Sequence, residues 1–413
     1  MRPDLGSGGA VRSLRSISNA VSEDAGGRVG GDKVVVIAYP IGHRGREPSY
    51  ASDTSVRDCR RAVRPPGIPG GIMDVARSQR GRQMRCWLLF HRELEPDAPE
   101  AYEVLRFQEV ARKIGIDLQV LQPREFDLLV DSTNNWSTMY QDRKLDKPDL
   151  IIPRTGSETS YFTLAVLRHF ERQGVSMVNR PAAIEAVADK LHTLQILAGA
   201  GLPVPKTILG KFPVDVDLVE RELGFPVVVK TLKGTRGEGV LLCLNREQFN
   251  DLASLLDGAK PGADFIFQQY IAASHGRDVR VLVIDGKAVA AMERRSADGG
   301  FKANISLGGV ASPFELPEPM ADLAVRVADV LGLDVAGVDI LFDTHGYRVC
   351  EANSSPGFQG LEKACKVNVP EEIFRAMERK HGLPDRPRRS LWRRLTRSLG
   401  AILGPQQPLS ADP

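Results

Sequence analysis

Two segments hold residue types that could do chemistry together. In AGVDIL (336–341) Asp339 sits in a strand-like run, and in VCEANSSPG (349–357) Glu351 and Asn353 sit in the next. Glu351 and Asn353 are two apart, so an extended chain puts both on one sheet face. An antiparallel neighbour can bring Asp339 beside them. Two carboxylates and an amide on one buried face repel one another unless a cation sits among them. Hard oxygen donors of this kind suit Mg2+, which takes one or two carboxylates and completes its shell with phosphate oxygens and water. A plain polar strand face would have the same pattern.

KTLKGTRGEGV (230–240) is a second candidate. Lys230 ends a strand-like run, Gly234, Gly237 and Gly239 follow, and a new strand begins. Glycines let backbone N–H groups approach an anion closely. Lys230 and Lys233 add positive charge. No GxxxxGK[ST] is present and a strand follows instead of a helix, so this is not a P-loop. By itself the loop reads equally as a Gly-rich hairpin. Between the two candidates, GRDVRVLV (276–283) puts Asp278 and Arg280 on one strand face, and FKANISLGG (301–309) is a polar loop with Lys302 and Asn304. Each of these also fits a solvated surface.

The elements that must position these residues follow from periodicity. From Arg85, strands at 86–91, 117–121, 149–154 and 175–179 alternate with helices at 101–114 and 158–173, which implies a small, mostly parallel sheet. A second unit opens near Ile184, with a helix over 189–200 that starts beside Lys190 and stops at Gly201. Strands at 206–209, 226–230 and 239–244 with a helix at 215–223 read as an α+β layer. A helix at 247–257, strands at 264–271, 278–284 and 287–295, a helix at 319–331 and strands at 336–343 and 347–355 complete it. Asp285-Gly286 and His345-Gly346 are the expected hairpin turns.

The 413 residues allow two or three domains, and 42% hydrophobic with 26% charged residues is ordinary for a globular chain. No run of about 18 apolar residues occurs, which argues against a transmembrane helix. Five cysteines without a CxxC pair argue against a disulfide framework or zinc ribbon and fit a reducing cytoplasm. From Lys380 to Pro413 seven Lys or Arg face two Asp, a net +5 against +3 for the whole chain. The body is therefore near neutral, and no nucleic-acid partner is expected. Residues 1–83 are rich in Gly, Arg and Ser, with one strand-like run at 33–40. They are expected to be disordered or an upstream extension from a mis-called start. The tail 384–413 sets a Leu and Trp stripe among arginines, which suits an anionic membrane surface or an acidic partner, a docked helix or a disordered tail.

The order of these motifs resembles the ATP-grasp superfamily, and more narrowly the RimK-like α-L-glutamate ligases. The residues that carry it are ADKLHTLQILAGAGLPVPKT, PVVVKTLKGTRGEGV, FQQYI, GRDVRVLV, AAMERR, FKANISLGG, AGVDIL and EANSSPG, densest over 186–362. The resemblance implies a small parallel-sheet pre-ATP-grasp domain over 84–185, a two-lobed ATP-grasp region over 186–383, and an enzyme of the cytoplasm. It implies that Lys190 and Lys230 hold ATP phosphates and that the Gly234–Gly239 loop closes over them. Gln269, Tyr270 and Ile271 would be the hinge whose backbone meets adenine, with Asp278 on the nucleotide. Lys302 and Asn304 would face phosphates and metal. Asp339, Glu351 and Asn353 would bind two Mg2+ ions, with Mn2+ able to substitute. Lys230, Arg280 and Lys302 are the catalytic candidates. The implied reaction activates a carboxylate as an acyl phosphate, which an amine attacks. Glutamate is the amino acid implied, and self-association is common in the family. The chain departs from the family pattern at Gln269, where Glu is usual, at Lys302, where Arg is common, and at Leu307, where glutamate ligases often carry Arg. The last departure leaves the substrate open. Other readings are a related ligase of amino-acid or cofactor biosynthesis and a nucleotide-binding regulator without turnover.

Overall fold

The computed structural model describes residues 83–95, 98, 100–132, 137–156, 159–232, 239–259 and 262–382. The expected strand at 33–40, the extension 1–82, Gly234, Gly237 and the Arg-rich tail lie outside these residues.

The first layer is a parallel sheet. It uses β1 (Arg85–Phe90), helix α1 (Ala101–Ile114) and β2 (Asp117–Leu121), then β6 (Leu150–Arg154), α2 (Tyr161–Arg172) and β7 (Ser176–Met177). The strand order is β2-β1-β6-β7. β1 and β6 are almost continuously apolar because both faces are covered. α1 buries Val104, Phe107, Val110 and Ala111, its 3.6-residue stripe, and ends at Gly115 in the left-handed conformation with φ 77°. Ser160 caps α2 by accepting from Thr163 N at 3.1 Å.

A small antiparallel sheet of β3 (Phe126–Leu129), β4 (Ser137–Tyr140) and β5 (Arg143–Lys144) adds to this layer. The sequence reading did not anticipate it. Its strands are short and mostly half-exposed, and Gln141-Asp142 turns the β4–β5 hairpin with φ 48° and 60° at residues that do not advertise such a turn.

The rest of the chain makes two antiparallel sheets. Helices α3 (Pro181–Ala188) and α4 (Lys190–Gly199) lead into β8 (Thr207–Lys211), α5 (Val216–Leu223), β9 (Val227–Thr231), β10 (Val240–Cys243), α6 (Arg246–Ala259) and β11 (Asp264–Gln269). These four strands pair in the order β10-β9-β11-β8 over a core of Phe212, Phe249, Phe265 and Phe267. Then come β12 (Arg277–Ile284), β13 (Lys287–Arg295), β14 (Val310–Pro313), α7 (Glu318–Val330), β15 (Val335–Asp343), β16 (Gly346–Asn353), α8 (Gln359–Cys365) and α9 (Val369–His381). Their strand order is β14-β13-β12-β15-β16. Asp285-Gly286 makes the expected two-residue turn, with φ 50° and 69°. The β15–β16 turn falls on Thr344-His345 instead of His345-Gly346, because Gly346, at φ 121°, already pairs with Asp343.

Alternation on β12 sorts the five-stranded sheet. Val279, Val281 and Val283 pack under Met320, Leu323, Ala324 and Val327 of α7. Leu282 and Ile284 face the other way, into a core shared with Leu88 and Phe90 of β1, Phe107 of α1, and Phe374 of α9. One apolar core therefore runs from the parallel layer into the five-stranded sheet. Polar contacts reinforce it. Buried Asn179 accepts from Asp334 N and Val335 N at 2.7 and 2.9 Å and donates to Val335 O and Ser354 O, both at 2.7 Å. Glu103 of α1 accepts from Phe358 N at 2.9 Å and Gln359 N at 3.2 Å, so it caps α8 from another layer.

Asn179→Ala leaves several buried backbone groups unpaired. It should lower the free energy of unfolding by about 3 kcal/mol in a denaturant titration. A loss under about 1 kcal/mol would show that these bonds do not join the layers.

Candidate active site

Register alone assembles the charged face. Asp278 of β12 stands opposite Arg294 of β13, Arg280 opposite Asp339 of β15, Asp339 opposite Glu351 of β16, and Gly337 opposite Asn353. Arg280 grips Asp339 with two bonds of 2.7 Å from Nε and Nη2. Arg294 grips Asp278 in the same way at 2.6 and 2.7 Å, and its Nη2 also reaches Asp339 Oδ2 at 2.9 Å. Arg280 Nη2 lies 4.0 Å from Glu351 Oε1. Such forks are the strongest side-chain ion pairs available.

Asp339 and Arg294 are only 2% and 4% exposed, so these charges must be compensated within the protein. Burial alone would raise the Asp339 carboxyl. Arg280 and Arg294 outweigh it and hold the group well below the usual carboxylate range. Glu351 moves the other way: desolvation raises it, and the Asp339 charge raises it further. The sequence reading required a cation to relieve repulsion on this face. The structure shows that the two arginines already supply positive charge at Asp339, whereas Glu351 lies farther out, 4.0 Å from Arg280 Nη2 and partly exposed.

A bulge brings the opposite wall close. The β15–β16 register shifts between Asp339 and Ile340, so Ile340 pairs with Val349 and Cys350 is left over. Cys350 Sγ lies 4.0 Å from Lys230 Nζ, and burial pushes the thiol up to about 11. Lys230 Nζ donates to Gln268 Oε1 at 2.6 Å, and Gln268 Nε2 donates to Thr207 Oγ1 at 3.0 Å. Lys190, first residue of α4, donates to Thr231 O at 3.3 Å. Burial lowers its ammonium, with Lys230 lowering it further and Glu351 opposing. Lys230 of the four-stranded sheet, Lys190 of helix α4 and the acid face of the five-stranded sheet thus share one electrostatic environment.

Gly239 needs to be glycine for two reasons. Its φ is +65°, and an added Cβ would collide with the Thr231 hydroxyl. Gln269, Tyr270 and Ile271 lie at the end of β11 and the start of the connection to β12. Gln269 N donates to Lys206 O at 2.9 Å, Tyr270 Oη bonds His275 Nδ1 at 2.5 Å, and Ile271 is buried. Lys302 and Asn304 lie on the loop between β13 and β14, with Lys302 Nζ 5.7 Å from the Phe301 ring centroid. Gln268 and Arg294 were missed as site residues. Both lie within the motifs that drew notice, FQQYI and AAMERR. The signal was the cross-strand pairing of Arg294 with Asp278.

The donors suit Mg2+. Asn353 Nδ2 donates to Gly337 O at 3.4 Å and to Glu351 Oε1 at 3.5 Å, so the hydrogen-bonded end of the amide is the end that cannot ligate a metal. Among the described residues no group of three or more His, Cys, Asp or Glu forms a cage. Mg2+ does not need one, since phosphate oxygens and water fill most of its shell.

Arg294→Met should lower the free energy of unfolding by about 3–5 kcal/mol, since it strands Asp278 as a largely buried anion and leaves Asp339 with Arg280 alone. A denaturant midpoint within error of the parent would contradict the network.

Comparison with known proteins agrees with this geometry. Residues 187–377 match the RimK-like ATP-grasp domain, and residues 96–184 match the RimK PreATP-grasp domain. A protein of Thioalkalivibrio sulfidiphilus named "Probable alpha-L-glutamate ligase" is 38% identical over 278 residues, 67% of this chain and 91% of that one. A protein of Picosynechococcus with the same name is 38% identical over 282 residues, 68% of this chain and 93% of that one. The solved ATP-grasp ligase PsnB, complexed with a phosphomimetic variant of its minimal precursor, Mg and ADP, superposes with a TM-score of 0.56 at 23% identity, over 72% of this chain and 98% of that one. The D-alanine–D-alanine ligase of Bacillus anthracis superposes with a TM-score of 0.52 at 16% identity, over 72% of this chain and 99% of that one. The matched domains and the relatives agree: this chain belongs to the RimK-like ATP-grasp family and is an ATP-dependent carboxylate–amine ligase.

Proposed function

We propose that the chain joins glutamate, through its amine, to a carboxylate-bearing peptide, protein or small-molecule acceptor. The observation that carries this is the acid–arginine face of the five-stranded sheet set against Lys230 of the other sheet and Lys190 of helix α4. Relatives named for glutamate ligation support the amino acid.

In this reading Lys190 and Lys230 hold ATP phosphates. The backbone of Gln269, Tyr270 and Ile271 meets adenine. Asp278, locked by Arg294, faces the nucleotide, and Lys302 with Asn304 approaches the phosphates from the β13–β14 loop. Asp339, Glu351 and Asn353 hold two Mg2+ ions, and Mn2+ can replace them. Bound metal would neutralise charge on the β- and γ-phosphates.

The steps balance without a covalent protein nucleophile. An acceptor carboxylate oxygen attacks the γ-phosphorus, and ADP leaves. The amine of glutamate then attacks the acyl carbon, phosphate leaves, and the amine loses a proton. Lys230 and Lys302 stabilise charge on the transferring group. Arg280, whose Nε and Nη2 are committed to Asp339, acts by orienting that carboxylate. The setting proposed is the cytoplasm: Cys86, Cys243, Cys350 and Cys365 are free thiols, and no described helix is long and apolar enough to cross a membrane.

The test is ADP release with a panel of amino acids and glutamyl peptides as acceptors. Glutamate should give the highest rate above the ATP-only background. Lys230→Ala should weaken ATP binding by about 10–150-fold, as loss of a charge-assisted contact of roughly 1.5–3 kcal/mol requires. No stimulation by any amino acid would leave a nucleotide-binding regulator as the better reading.

A further inference from the structure

Among the described residues Arg154 has no counter-charge. It ends β6 and is 3% exposed. Its Nη1 donates to Pro356 O at 3.1 Å, and its guanidinium carbon lies 5.7 Å from the Phe358 ring centroid. Nε and Nη2 are buried, and no group among the described residues accepts from them. Arg280 and Arg294 use that same edge to fork a carboxylate. A buried guanidinium without such a partner is strongly disfavoured, and an unpaired group of this kind in a folded protein calls for a missing anion.

Arg154 stands where open α/β sheets place their ligand crevice. In the parallel sheet, β1 connects outward to β2 on one side, and its neighbour β6 connects outward to β7 on the other. The order reverses between β1 and β6, and ligands of open α/β sheets bind beyond the carboxyl ends of strands at such a point. Arg154 sits there, in register with Phe90.

The crevice also touches the catalytic strand. Pro356, which Arg154 holds, comes three residues after Asn353. Ser355 Oγ donates to Pro153 O at 2.9 Å. A Cβ added to Gly337 would lie 2.6 Å from Pro356 Cβ and 3.8 Å from Arg280 Cδ, so Pro356 packs directly against the strand that carries Asp339.

We propose that the Nε/Nη2 edge of Arg154 binds a carboxylate of the amino-acid substrate. This rests on the ligase reading above. The planar fork matches a carboxylate, and in the ligase reading Lys190 and Lys230 take the phosphates. Both nitrogens are shielded from solvent, so binding requires a local opening at the carboxyl edge of the sheet. Arg154 would then place the amine donor beside the acid face, on the side away from the nucleotide lysines.

The test is calorimetric titration of L-glutamate into the full chain saturated with Mg–ADP, using the parent, Arg154→Lys and Arg154→Gln. Glutamine and isoglutamine, which each lack one carboxylate, and inorganic phosphate are titrated into the parent. The parent should bind glutamate, and both variants should bind it about tenfold or more weakly, as loss of a charged fork implies. Affinity for ADP should change by less than about twofold. Either glutamine or isoglutamine should bind the parent as poorly as glutamate binds the variants, which tests the claim even if a variant melts. A parent that does not bind glutamate, variants that bind it normally, a parallel fall in ADP affinity, or phosphate bound more tightly than glutamate would overturn the proposal. Glutamate binding without ADP release would sink the ligase substrate reading and leave the carboxylate site standing.

Discussion

Asp339 is held from two sides by arginine, and the rest of the site depends on that arrangement. A buried carboxylate is tolerable only with paired positive charge, and Arg280 and Arg294 supply it from two neighbouring strands. Because Arg280 forks Asp339 and Arg294 adds a contact at Oδ2, they also fix the orientation of the carboxylate. Asp278 completes the set by locking Arg294. Glu351, on the far side of Asp339, has its carboxyl raised by burial and by the Asp339 charge. A rigid, arginine-locked anion beside a more exposed carboxylate is a suitable place to receive a metal–phosphate group.

The same sheet explains why the parallel layer cannot be a passive attachment. The segment that follows the proposed metal ligands, Ser354 to Gln359, is held almost entirely from outside its own sheet. Asn179 holds Ser354 O, Pro153 O accepts from Ser355, Arg154 holds Pro356 O, and Glu103 holds Phe358 N and Gln359 N. Shared burial of Leu282, Phe90 and Phe374 backs these bonds. Geometry at Glu351 and Asn353 is therefore set partly by residues that lie more than 150 positions earlier in the chain.

Much of this was legible in the sequence because strands alternate. The two-residue spacing of Asp278 with Arg280, and of Glu351 with Asn353, assigned each pair to one face, and the register agrees. Propensity and punctuation placed the helices at 101–114 and 190–199 within a residue or two. What remained hidden depended on pairing instead of local pattern. Arg294 reads as one of two consecutive arginines until β13 is paired with β12, whose register itself shifts between Leu282 and Val283. Cys350 reads as a core residue until a bulge turns it toward Lys230. The β3–β5 sheet was hidden because its strands bury little and its tight turn lacks glycine.

The central claim is that Glu351 completes a metal–nucleotide site built on the arginine-locked Asp339. Titration of ADP into the full chain and into Glu351→Gln, each with and without Mg2+, tests it most directly. Glu351 is the less buried of the two carboxylates, so the substitution should spare the fold. The account predicts that Mg2+ tightens ADP binding to the parent by about tenfold or more, and that Glu351→Gln loses most of that gain while its metal-free affinity is unchanged. A variant that keeps the full Mg2+ gain would contradict it.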